Sequence, residues 1–217
     1  MDNYGFGYPK QCIKCSQDDE NPHQLKVKPY FCEVSGFRLM LIGQDPTIFH
    51  DSERVRFALM LDEPRGQIRR WLRDLLGDGN LEKATVYTTN IVKCSFKKPP
   101  SQMRSGGLPF LSHYFGNCRQ YLLAEIDAYR PELVITFGEP AHCLFVSCMS
   151  IADCGNRSIN TEMKKAFNGS LYSLVTSGHR FDYSPCLHIK TFRVAETYGP
   201  SVARFRIELQ SYLKTRL

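Results

Sequence analysis

The sequence contains no stretch of eighteen apolar residues, so no transmembrane helix is expected. Its opening, MDNYGFGYPKQC, lacks a basic region followed by an apolar run, so no signal peptide is expected either. No internal repeat and no strong linker divides the 217 residues, which predicts a single domain over residues 1–217. Only one C-x-x-C pair occurs, and a simple zinc ribbon needs two. With 42% apolar and 23% charged residues, the composition fits neither a disordered chain nor a coiled coil.

Against these absences stand an uneven charge and nine cysteines. The formal charge is +6, yet residues 1–150 hold 18 basic and 17 acidic side chains. Residues 151–217 hold 10 basic and 5 acidic ones and so carry most of the excess. A basic face attracts a phosphate backbone without reading its sequence. The pI of 8.8 falls just short of the value of about 9 that marks a dedicated nucleic-acid module. Without an export signal, cysteines point to metal ligation or burial rather than to a disulfide framework. Cys12 and Cys15 share a polar loop, at a spacing that lets two thiolates reach one metal centre. Cys94 ends the run TVYTTNIVKC, and Cys118 begins the amphipathic run CRQYLLAEIDAY. Both lie at element ends, where side chains can turn toward a common point. Cys143 and Cys148 read as core filler, and Cys32 and Cys186 have no clear neighbour.

The apolar run 37–42 predicts a buried strand ending in the loop GQDPTIFHDS. Strands are also predicted at 85–92, 133–137 and 171–176. Helices are predicted at 64–77, with Gly77 as its stop, and at 111–129, 139–147 and about 199–215. Residues 150–169 read as irregular. Strands alternating with helices predict a three-layer α/β/α sandwich around a central, mostly parallel four-stranded sheet. In such folds ligands bind beyond the carboxyl ends of the strands. Gln44–Asp45–Pro46, Asn90 through Cys94, and Ser177 through Thr191 should therefore open on one edge.

An aspartate at that rim can orient or deprotonate water, or stabilise a developing cation. The Asn90 amide offers a donor and an acceptor, which suits reading the edge of a nucleobase. His188, beside Lys190, Thr191 and Arg193, could stabilise an anionic leaving group. Each has a plainer alternative: Asp45 as a turn cap, Asn90 as a structural hydrogen bond, His188 as an exposed loop residue.

Together these residues resemble the motifs of the uracil-DNA glycosylase superfamily. Gly43-Gln44-Asp45-Pro46 resembles its water-activating motif, in the lettering of the cluster-free branch. Thr89-Asn90-Ile91-Val92-Lys93-Cys94 resembles the T-N-V-V-K-C segment of the iron–sulfur, family 4-like branch. Cys12, Cys15, Cys94 and Cys118 follow the order of that branch's cluster ligands. Pro131 to Ile135, with Gly138 and Ala141, resemble the next strand, turn and helix. The resemblance covers about residues 12 to 192.

The resemblance implies a DNA-repair glycosylase that flips uracil, or another deaminated base, into a pocket and hydrolyses its glycosidic bond. Asp45 would activate the water, with Gly43 and Gln44 beside it. Asn90 would read uracil, and His188 would face the departing base. Leu61 would take the place where the family stacks a Phe, with Phe57 and Phe49 as nearby alternatives. Lys190, Thr191 and Arg193 would enter the DNA near the lesion. The four cysteines would hold a 4Fe–4S cluster of structural role, with zinc as the alternative. The implied partner is DNA containing a deaminated base, with no membrane, and the implied state is a monomer in a prokaryotic cytoplasm, associated with the nucleoid. The His loop reads H-I-K-T-F and departs from the family's H-P-S. That departure favours a second reading, a catalytically silent iron–sulfur nucleic-acid-binding module of the same fold. A third is an unrelated α/β hydrolase with a zinc-bound C-x-x-C.

Overall fold

The computed structural model describes residues 6–15, 27–34, 36–46, 55–77, 80–103, 106–151, 159–176, 178–188 and 195–217. Among these, seven strands occur: β1 (Tyr30–Cys32), β2 (Arg38–Gly43), β3 (Thr85–Asn90), β4 (Leu133–Phe137), β5 (Ser150–Ile151), β6 (Tyr172–Thr176) and β7 (His179–Cys186). Five α-helices accompany them: α1 (Gln67–Leu76), α2 (Gly107–Tyr129), α3 (Glu139–Val146), α4 (Met163–Ala166) and α5 (Ala195–Lys214).

The strands form one sheet in the order β1-β3-β2-β4-β7-β6-β5. Its centre, β3-β2-β4-β7, is parallel, and β1, β6 and β5 pair antiparallel outside it. The two middle strands, β2 and β4, are nearly all apolar because both of their faces are covered. Successive side chains point to opposite sides. Leu39 and Leu41 enter the core shared with α1 and α5, whereas Met40 and Ile42 enter the core under α2 and α3. The expected three layers and four-stranded parallel centre are present, widened by the three antiparallel strands.

The fourth parallel strand is not the one the apolar pattern suggested. Residues 172–176 are a strand, but they run antiparallel to β7. The parallel strand is β7, inside the segment read as a loop from Ser177 to Thr191. Phe181 and Tyr183 fill the α2–α3 core, while Asp182 and Ser184 alternate with them. Residues 150–169 also hold two short elements, β5 and α4. Helix α1 starts at Gln67 rather than at Pro64, because the chain first makes a turn from Glu63 to Gly66 and Gly66 is extended. Gly77 ends it as expected, with φ of 87° and its N–H on the Arg73 carbonyl.

The chain winds from β2 to β3 on one flank, then crosses to β4 on the other flank. That reversal leaves a crevice beyond the carboxyl end of β2, where doubly wound sheets take their ligands. No helix among the described residues is long and apolar enough to cross a membrane.

Candidate active site

Gly43 closes β2 directly opposite Asn90, the last residue of β3. The ladder continues past both: Ile91 N–H donates to Gly43 O at 2.8 Å and Val92 N–H to Gln44 O at 3.0 Å. A Cβ at position 43 would collide with Asn90 Oδ1 and stand 2.8 Å from Leu59. Glycine is what lets the Asn90 amide lie across the strand end.

Asp45 follows on the same edge and is buried. Gln44 Nε2 donates to its Oδ1 at 2.7 Å. Burial pushes the Asp45 carboxyl up from 3.8 to about 6, and the Gln44 bond pulls the other way. The group is therefore a carboxylate at neutral pH and strongly basic for one. His188 enters from the opposite flank, two residues beyond β7. It stands over Gly138, whose φ of +88° turns β4 into α3; a Cβ there would be 3.6 Å from His188 Cβ.

These residues meet in one cavity of about 200 Å³. Gln44, Asp45, Asn90 and His188 give its polar side, and Val27, Val55, Leu59, Met60, Ile68 and Phe137 its apolar side. A wider recess of about 550 Å³ adjoins it, sharing Leu59, Met60 and Ile68 and reaching Glu63, Arg65 and Gln67.

The expected stacking position falls differently. Leu61 is buried in the core with α1 and does not line the cavity. The chain reaches the cavity two residues earlier, through Leu59 and Met60. Both adopt left-handed backbone, with φ of 59° and 50°. Two adjacent non-glycine residues in that region are unusual and mark a segment held by its surroundings. Phe57 packs edge-on against Tyr30, with ring centroids 5.8 Å apart, and is not in the cavity lining. Phe137 does line the cavity, braced at 5.1 Å by Trp71. Phe49, Lys190, Thr191 and Arg193 lie outside the described residues.

Cys94 and Cys118 are buried, and Cys12 and Cys15 are partly exposed. Cys15 and Cys94 are among the charges acting on the Cys118 thiol, and Tyr8 is within electrostatic reach of Cys12, Cys94 and Cys118. The four thus gather on one side of the molecule, where β3 ends and α2 passes. Two N–H groups point at sulfur: Asn117 Nδ2 at Cys15 Sγ, 3.2 Å, and Lys93 N at Cys118 Sγ, 3.5 Å. Burial pushes the Cys118 thiol up to about 11, and the Lys93 N–H opposes it. Among the described residues, no three His, Cys, Asp or Glu side chains form a group that could hold a metal ion.

Sequence reasoning passed over a further pair at this junction. Lys93 and Glu125 form an ion pair buried between β3 and α2. The signal was present: Glu125 sits on the same helix stripe as Cys118, Leu122, Ile126 and Tyr129, all buried. A charged residue in an apolar stripe needs a partner.

No curated protein matches the chain. The family model described as "Uracil DNA glycosylase superfamily" matches residues 29–204, a span that holds every strand, the cavity's polar residues and Lys93 with Glu125. The chain therefore belongs to the uracil DNA glycosylase superfamily.

Proposed function

We propose that the protein is a DNA-repair glycosylase that hydrolyses the N-glycosidic bond of uracil, with Asp45, Asn90 and His188 as its working residues. The supporting observation is their convergence on one small cavity at the carboxyl edge of the sheet. Base excision breaks the bond between the sugar C1′ and the base nitrogen. Positive charge grows on the sugar and negative charge on the departing base. A buried carboxylate beneath the sugar stabilises the first. Asp45 also accepts a proton from the water that adds to C1′, which its raised basicity favours. The Asn90 amide can donate to a carbonyl and accept from a ring N–H, the pattern of a uracil edge. His188 faces the same space and places a donor near the leaving base. The cavity admits one base, so the nucleotide must leave the stack to react. The adjoining recess, with Arg65 at its rim, receives the flanking strand.

The four cysteines hold a 4Fe–4S cluster in this reading. The donor set fits: two buried thiols, a C-x-x-C loop beside them, and N–H groups directed at sulfur. Such a cluster would supply a structural tie between the N-terminal segment and α2. Cys118→Ser should lose brown colour and solubility before it loses chemistry. A colourless, zinc-loaded wild-type protein would overturn the cluster assignment.

The deciding experiment is strand cleavage by alkali after incubation with uracil-containing DNA, single- and double-stranded, with hypoxanthine and xanthine substrates in parallel. Abasic sites should form with uracil. Yields no higher than those of an Asp45→Ala control would overturn the assignment and leave a binding module.

A further inference from the structure

Asn90 can read a base only if its amide is held in one direction, and among the described residues no side chain of the cavity makes a hydrogen bond to that amide. The holding group lies behind it. The Lys93 side chain folds back along its own strand, and its ammonium donates to Asn90 O at 2.7 Å and to Thr89 Oγ1 at 2.8 Å. Its third partner is the Glu125 carboxylate of α2, which also accepts from Tyr87 Oη at 2.8 Å and Thr89 Oγ1 at 3.0 Å. All three ammonium protons are thereby used, with side-chain exposures of 1% for Lys93 and 0% for Glu125.

The same residue touches two other parts of the site. Its backbone N–H points at Cys118 Sγ. Its ammonium stands 5.8 Å from the centre of the Tyr8 ring, and the Tyr8 hydroxyl donates to Val27 O at 2.9 Å. Val27 lines the cavity.

A buried ion pair is weak evidence for stability, since apolar residues of like volume often do as well. What an apolar pair cannot supply is a donor to the Asn90 carbonyl. We propose that Lys93, anchored by Glu125, is a positioning residue for base recognition: it fixes the strand end that aims the Asn90 amide into the cavity. This rests on the reading of Asn90 as the base-reading residue.

The test is the double variant Lys93→Met with Glu125→Gln. It removes both charges together, while Gln keeps an acceptor for the Tyr87 and Thr89 hydroxyls. Lys93→Met alone would leave Glu125 buried without its partner and serves as the misfolding control. The double variant should keep its cooperative unfolding. Its kcat on uracil-containing DNA should fall about tenfold with KM changed less than threefold, the signature of a group misplaced in the transition state. Its preference for uracil over cytosine should fall with kcat. In nitrogen-15 spectra, the Asn90 side-chain amide should give two well-dispersed proton signals in the wild type and averaged ones in the double variant. Unchanged kcat and unchanged Asn90 signals would overturn the proposal. If the double variant does not fold, the wild type decides. A slowly exchanging Lys93 ammonium signal supports the proposal, and exchange as fast as that of surface lysines overturns it. A wild type without uracil excision would sink the functional reading, while the Asn90 and Lys93 signals still judge the positioning role.

Discussion

Asp45 and Glu125 are both buried carboxylates near the end of a parallel strand, and they are held in opposite ways. Asp45 faces a cavity and has a neutral donor, the Gln44 amide, on one oxygen. Glu125 lies between α2 and β3 and is surrounded by an ammonium and two hydroxyls. Burial raises both carboxyls, and at Glu125 the Lys93 ammonium is the leading opposing influence. The difference teaches how to tell a working acid from a structural one. A carboxylate left short of partners beside empty space keeps its basicity for a substrate. One whose lone pairs are all engaged spends them on the fold.

Four predictions press on that contrast. Asp45→Asn should lower kcat/KM for uracil excision about a thousandfold while leaving thermal stability equal or higher. A variant that unfolds instead would put Asp45 in the structural class with Glu125. Glu125→Ala should do the reverse damage. It strands the Lys93 ammonium in the core and should cost about 3–5 kcal/mol in urea unfolding. A loss below about 1 kcal/mol would mean that water reaches the pair.

The third prediction is a pH dependence. The folded-state value of Asp45, about 6, lies above its ordinary value of 3.8. Between those values the folded chain binds the proton that the unfolded chain has released. Stability relative to Asp45→Asn should therefore fall as pH rises from about 4 to about 6, by roughly 3 kcal/mol at most, and stay level above. Activity should move the other way, with kcat/KM rising through about pH 6 as the carboxylate forms. Flat profiles in both measurements would show a carboxylate in contact with bulk water. The smallest effect is expected at Asn90. Asn90→Asp should shift preference from uracil toward cytosine by about tenfold, because an acid replaces the amide's donor–acceptor pattern. Unchanged discrimination would make Asn90 a structural residue.

Much of this contrast was legible in the sequence. The runs at 37–42, 85–92 and 133–137 gave three of the four parallel strands, because β2 and β4 are nearly all apolar and β3 is rich in β-branched residues. Their ends placed Gly43, Asp45 and Asn90 on one edge. β7 was missed because HRFDYSPC carries Arg180, Asp182 and Pro185 on a strand that alternates rather than runs apolar. β1, three residues long, is too short for any period to show. Leu61 was set at the cavity by matching letters through the irregular segment 55–66. There, two left-handed residues redirect the chain, and no side-chain pattern encodes that turn. The Lys93–Glu125 pair spans 32 positions, so only the misplaced charge on α2 announced it.

The pairing of Gly43 with Asn90 has one more consequence. Side chains of a strand alternate faces, so a slip of β2 against β3 by one residue would move Gly43 away and bring a larger side chain against the Asn90 amide. The cavity beside Asn90 cannot form on a mis-registered sheet. Under the proposed function, uracil excision would thus report on assembly: a chain that excises the base is one whose own strands have been correctly matched.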